Sequence, residues 1–332
     1  LRIRGTNLQL ERLGPVIPTF SFLTPAILER WQDLKPAGNV DRLALDIPIK
    51  QPDHTRFDAS WHDVSWQRWE LLPGINHFSG SLKGSVAGGQ LAVNLKDSVL
   101  AYGEMFRAPL EIGAATGTFN WTNTKDGWAL SGKDVDVQAN ALWAKGDFRY
   151  DQPVKGEPWL NILAGIRLYD AGQAWRYFPE PLMGKHLVDY LSGAIQAGQV
   201  DNATLTFNGN PHDFPFKKNE GQFEVWVPLR HSTFEFQPGW PALTNLDIDL
   251  DFLNDGLFMK AANTKLGNVD GNNVVANIPD YLKEKLFIDA DLRGQGKDIG
   301  DYFMDTPLHD SLGSALQELQ IGGEVNGRLH LD

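Results

Sequence analysis

Two groups of side chains in this sequence have the types and spacing to do chemistry. Asp247, Asp249 and Asp251 stand at alternate positions, where they could hold calcium or supply the paired carboxylates, such as Asp247 and Asp251, of a carbohydrate-cleaving site. Trp61, Trp66 and Trp69 cluster around His62 and Asp63, the ingredients of a sugar-stacking platform. Spacing weakens both readings. Alternate residues on a strand lie roughly 6.7 Å apart, too spread for three carboxylates to share one ion. The same geometry puts Trp61 and Trp66 on opposite faces unless a bulge intervenes. A solvated strand face and ordinary packing are therefore the expected roles, and no metal is expected.

Other routes to catalysis are missing. Cysteine is absent, which removes disulfides, thiolate nucleophiles and Cys-based zinc sites together. The eight histidines (54, 62, 77, 186, 212, 231, 309, 330) are scattered without ligand spacing. No His-Glu-x-x-His pair, Gly-x-Ser-x-Gly elbow or Walker-type loop occurs. Gly294-Gln-Gly296 with Gly300 is one residue too long for the dinucleotide fingerprint and does not open a long helix after a βαβ strand. Lys and Arg number 30 against 42 Asp and Glu, a net charge of −12, which opposes nucleic-acid binding. Neither an enzyme nor a cofactor site is expected.

The elements that carry these residues are mostly strands. Leu246, Ile248, Leu250 and Phe252 alternate with Asp247, Asp249 and Asp251; Leu205 and Phe207 alternate with Thr204 and Thr206; Leu286 and Ile288 alternate with Phe287 and Asp289. Strands this often one-sided predict an antiparallel meander, since parallel strands are usually apolar on both faces. Gly88-Gly89, Asp126-Gly127, Asp255-Gly256 and Asp270-Gly271 mark its turns. A weak repeat runs through it: residues 90–100, 127–137 and 256–266 each read as strand, short polar break, strand. Helices are few. Thr24-Pro25 opens one that closes near Gly38, a second region runs over 170–197 with Met183, Leu187, Tyr190 and Leu191 on one face, and Thr306-Pro307 opens a third. The helical stretch predicts a division into 1–169, 170–197 and 198–332. The uncharged run from Leu13 to Leu28 is too short and too broken by proline to span a bilayer. A chain that starts at Leu1 and stops at Asp332 inside an alternating run reads as a piece of something longer.

Between Trp175 and Leu243 an ordered set of Gly, Pro and aromatic positions stands out. It comprises Tyr177-Phe178-Pro179, the helix with Leu187, Tyr190 and Leu191, Gly198-x-Val200, Gly209, Phe214-Pro215-Phe216, Gly221-x-Phe223 and Pro238-Gly239-Trp240-Pro241. Pro307-Leu308, Gly313, Leu316, Leu319 and Gly323-x-Val325-x-Gly327 extend it. This order resembles the long members of the AsmA-like family of Gram-negative bacteria over essentially the whole chain. The resemblance implies a periplasmic part of an inner-membrane-anchored protein, its anchor lying outside these residues. It also implies a long, curved, U-shaped sheet whose open apolar groove carries phospholipid to the outer membrane, and it offers no catalytic residue.

The groove positions come from the alternation itself: Leu91, Val93, Trp128, Leu130, Leu205, Phe207, Phe223, Val225, Val227, Phe234, Phe236, Leu246, Ile248, Leu250, Leu286 and Ile288. Met183, Leu187, Tyr190 and Leu191 form the lid or cap. Acyl chains are the expected partner, because they can cover an apolar face without specific hydrogen bonds. Two other readings remain open: a structural scaffold whose face is filled by its own side chains, and a secreted carbohydrate-binding or -cleaving β protein.

Overall fold

The computed structural model describes every residue except 20–24, 49, 52–53, 70–71, 281–282, 284 and 332. Alternating runs become strands because an extended chain points successive side chains to opposite faces. Among the described residues they are β1 (Arg2–Gln9), β2 (Ala37–Asp46), β3 (Arg56–Trp66), β4 (Ile75–Ser85), β5 (Gly88–Leu100), β6 (Leu110–Thr124), β7 (Gly127–Ala139), β8 (Leu142–Pro153), β9 (Trp159–Leu168), β10 (Ile195–Gly209), β11 (Gln222–Phe234), β12 (Leu243–Leu253), β13 (Gly256–Leu266), β14 (Val269–Ile278), β15 (Phe287–Gln295) and β16 (Glu324–Leu331). Their hydrogen-bonded order follows the sequence, with β1 and β16 at its ends, so the sheet is antiparallel and not closed into a barrel. A meander of this kind needs only hairpin turns.

Two turns fall at their glycine signals: Lys125-Asp126, with Gly127 at φ +146°, and Asn254-Asp255, with Asn254 at φ +52°. The other two lie earlier than predicted, at Val86-Ala87 and Gly267-Asn268. Gly88 and Gly89 belong to β5 instead, and Asp270-Gly271 to β14.

In the copy of the repeat at 127–137 the polar break is a β-bulge at Asp134, whereas the copy at 256–266 pairs with β14 without a register shift. Asp97 and Asp134, at matching positions of two copies, both have φ +48°. Asp63 (φ 53°), His77 (55°), His231 (49°) and Asn245 (52°) take the same left-handed conformation in β3, β4, β11 and β12. Asp, Asn and His tolerate that region better than most side chains. A bulge withdraws an N–H from the ladder, and the next strand supplies a new acceptor. The Asp63 N–H donates to Ser79 Oγ at 3.1 Å, that of Asp134 to Asp147 Oδ1 at 2.8 Å, and that of His231 to Asp247 Oδ1 at 2.9 Å. Each bulge bends its strand and adds twist, the usual source of curvature in a wide sheet.

The chain divides into two compact units, Leu1–Ala164 and Gly165–Asp332. In the first, α1 (Pro25–Leu34) starts at the predicted proline, Thr24 lying outside the described residues. In the second, a turn over Ala171–Tyr177 is capped by the Asp170 carboxylate, which accepts the Gly172 N–H at 2.9 Å. A single turn, Glu180–Met183, follows, and Gly184 (φ +82°) separates it from α2 (Lys185–Ala194). A further helix, α3 (Gly296–Met304), was not anticipated. It follows β15 and leads back to an antiparallel β16, so the dinucleotide-binding context is absent there. Among the described residues no helix is long and apolar enough to cross a membrane.

Candidate functional site

In the first unit the strand registers stack apolar residues on one face. Leu91 stands between Leu82 and Phe119, Val93 between Gly80 and Gly117, and Leu130 between Trp121 and Tyr150. Large rings face glycines across the strands: Phe57 faces Gly84, Trp61 faces Gly80, Trp121 faces Gly89, and Phe119 and Phe148 flank Gly132. A Cβ on Gly89 would overlap the Trp121 ring, and one on Gly132 the Phe148 ring. The rings therefore lie down over bare backbone, which lowers the relief of the face. That face is half-buried at Leu91, Val93 and Leu130, while Trp128 is 45% exposed and leans on Tyr150 at 5.1 Å between centroids.

In the second unit rows of the same kind are half-buried at Leu205, Phe207, Phe223, Val225 and Val227 and buried at Leu250, Met259, Ala276 and Ile288. Leu205 stands beside Val225, Phe207 beside Phe223, Val227 beside Leu250, Leu250 beside Met259, and Ala276 beside Ile288. α2 lays Leu187, Leu191 and Ala194 on this face, all buried, with Met183 and Tyr190 packed against it. From α3, Tyr302 and Phe303 meet Trp240, their ring centroids 6.3 and 6.2 Å from it. Leu246 and Leu250 are each 1% exposed. A small cavity of about 50 Å³ remains, lined from β11 through β16 and by Tyr190. On a flat sheet β11 and β16 would be about 24 Å apart, five spacings of ~4.8 Å. A volume of this size cannot touch both strands unless this part of the sheet curls around it.

The sequence-derived positions are distributed accordingly. Phe234, Phe236, Leu246, Ile248, Leu286 and Ile288 line the cavity together. Leu250, Phe223, Val225 and Val227 belong to the same apolar cluster. Phe207 instead joins a ring cluster with Phe214 and Phe216, at 6.2 and 5.2 Å, and Leu205 sits beside it on β10. Leu91, Val93, Trp128 and Leu130 belong to the first unit and take no part in this cavity. Met259, Thr264 and Leu329 line it without having been singled out. Met259 could have been found from the alternation of Leu257, Met259 and Ala261 within the third repeat; Thr264 follows the polar break and carried no apolar signal.

Two sequence expectations change. A bulge between Trp61 and Val64 reverses the parity of β3, so Trp61 and Trp66 share a face and both touch Phe78, at 5.4 and 5.2 Å. Trp69 stands apart under the Arg30 guanidinium, 5.2 Å from it. No flat tryptophan platform results. The acidic row faces outward as individual side chains: Asp247 accepts the His231 N–H, and Asp249 pairs with Arg230 at 2.8 Å. Burial, and then Glu224 beside it, hold the Asp251 carboxyl above its ordinary range. Among the described residues no group of three or more His, Cys, Asp or Glu could hold a metal.

The chain matches a family described as YhdP protein over residues 1–332. It is 58% identical over 332 residues to the intermembrane phospholipid transporter YhdP of Escherichia coli strain K12. That alignment takes in 100% of this chain and 26% of that protein, so the chain spans about a quarter of the relative's length. No solved structure matches.

Proposed function

The chain belongs to the YhdP protein family, and from that premise we propose that its apolar faces form part of a bridge along which phospholipid passes between the inner and outer membranes. In this reading it works in the periplasm, held to the inner membrane by a segment outside these residues, and supports outer-membrane integrity. The stretch 170–197 is a helical insertion that follows the groove-forming stretch 1–169 in sequence and precedes the groove-forming stretch 198–332, whose apolar face its helix caps. Neither a cofactor nor nucleic acid takes part.

The observation that carries the reading is the half-exposed face of the first unit, where Leu91, Val93 and Leu130 stand among rings laid flat over Gly89 and Gly132. Covering such a face with an acyl chain gains about 0.8 kcal/mol per buried CH₂. Movement along it exchanges one apolar contact for another, so barriers to sliding are low. The headgroup stays in water at the open edge, where its charge carries no desolvation penalty.

Extraction of the purified chain tests this. Phospholipid should co-purify with the wild type and be largely lost from a Leu91→Asp/Val93→Asp variant that keeps its fold. An extract free of phospholipid would favour the scaffold reading, for which the closed packing around Leu246 and Leu250 in the second unit speaks.

A further inference from the structure

We propose that the open volume in the first unit where β2, β4 and β6 end and β3 begins is a seat for the phosphodiester of a phospholipid headgroup, held by Arg56 and Lys125. The proposal rests on the transport reading and adds to it the groups that hold the polar end of the lipid.

The volume is about 1150 Å³ and opens to solvent. Its lining carries three cationic side chains, Arg2, Arg56 and Lys125, the imidazole of His54, and one carboxylate, Asp46. That carboxylate is already taken: Asp46 accepts from Arg4 at 3.0 and 3.2 Å and lies 3.5 Å from Arg2. Arg56 stands opposite Asp46 in the β2–β3 ladder yet makes no ion pair with it, and Lys125 makes none among the described residues. In a chain of net charge −12, two unpaired cations on one volume are a local surplus that calls for an anion. A phosphodiester offers a single delocalised charge and oxygens that match the guanidinium fork and the ammonium.

The surroundings favour a lipid phosphate over a free one. Ile47 and Val86 border the same volume, and Val86 is 46% exposed. Beside Arg56 in the chain, Phe57 belongs to the apolar face, where its ring stacks on Trp121 at 5.8 Å. The apolar row therefore runs out where the cations begin. Acyl chains lying along Phe57, Trp121 and Leu91 reach water at this end, and the phosphate that follows them arrives at Arg56 and Lys125. On a flat sheet β3 and β6 would be about 14 Å apart, three spacings of ~4.8 Å, so the two long side chains approach one phosphate from either side. The headgroup keeps much of its water there, and salt weakens its attraction to the cations.

The test loads the full chain from vesicles of phosphatidylethanolamine and phosphatidylglycerol. Retained lipid and its phosphorus-31 resonance are read for the wild type, for Arg56→Gln/Lys125→Gln and for Lys96→Gln/Lys133→Gln. The last pair removes the same charge at exposed positions that do not border the volume. Arg56 and Lys125 are exposed as well, so both variants should keep the wild-type thermal midpoint. The expected result is about tenfold weaker retention and a displaced phosphorus resonance for Arg56→Gln/Lys125→Gln alone, with the difference from wild type shrinking at high salt. Equal retention by the two variants overturns the seat and leaves the transport reading standing. A wild type that binds inorganic phosphate through Arg56 and Lys125, but whose lipid resonance ignores both substitutions, also overturns it, in favour of a free anion. A wild type that takes up no lipid overturns the transport reading and the seat with it.

Discussion

At the scale of the residue, glycine carries more of this surface than its size suggests. Gly132 lies between Phe119 and Phe148, and a Cβ there meets the Phe148 ring and then Val135 rather than backbone. Replacing a strand glycine by alanine ordinarily helps, so a loss at this position isolates the ring clash. Gly132→Ala is expected to cost about 1–3 kcal/mol by chemical denaturation. Gly113→Ala, whose Cβ would come no closer than 3.6 Å to the Gln138 carbonyl, should be neutral or slightly stabilising. Asp251 gives a second outcome. Its folded-state pKa lies above its unfolded value, so the folded state resists ionisation and stability falls as pH rises through that interval. Asp251→Asn should raise the thermal midpoint modestly at pH 7, and the advantage should shrink as the pH is lowered toward the carboxylate's ordinary range. An advantage that grew on acidification would refute the assignment of burial as the cause.

At the scale of the element, strands were legible because a sheet with one dry face writes period two into its sequence, as in Leu246 to Phe252. The covering helix was legible for the matching reason, its apolar stripe through Leu187 and Leu191. Where the reading failed, one residue type had two physical uses. Gly88-Gly89 looks like a turn, yet Gly89 clears space for Trp121 while Val86-Ala87 makes the turn. Asp134 looks like a polar interruption, yet it supplies the left-handed residue of a bulge, and the Trp61–Val64 bulge inverts the expected faces of β3. α3 carries little helical signal because it begins on glycine inside a near-miss motif. The bulge account has a direct check. Asp134→Val puts a β-branched side chain at φ +48° and should cost about 1–2 kcal/mol or more, while Asp134→Gly should be close to neutral. For the cap, Leu187 is 7% exposed against the apolar cluster, so Leu187→Asp buries an unpaired charge and should destabilise the second unit by several kcal/mol. A midpoint within a degree of wild type would show that α2 is not held there.

At the scale of the whole molecule, the same alternating code yields two different surfaces, and the difference lies in what covers them. The first unit keeps Val93 and Leu130 half-exposed, whereas the second buries Ile248 to 5% and Leu250 to 1% beneath its helices. Photo-crosslinkers separate a lipid path from a sealed core because they report what each position touches. Placed at Val93 and Leu130, they should give phospholipid adducts, and at the outward neighbour Asn94 they should give none. In the second unit Ile248 and Leu250 share a strand face, but Ile248 borders the cavity and Leu250 does not. Ile248 should therefore label lipid, while Leu250 should link to its own chain, with outward Asp249 as the control. Periodicity alone cannot distinguish Ile248 from Leu250, since both sit at even positions of one run. The curl of the sheet and the seating of α2 make the distinction, and both depend on contacts far apart in the chain. Equal lipid labelling at Val93 and Asn94 would sink the path in the first unit. Equal lipid labelling at Ile248 and Leu250 would mean that the cap lifts far enough to open the whole face.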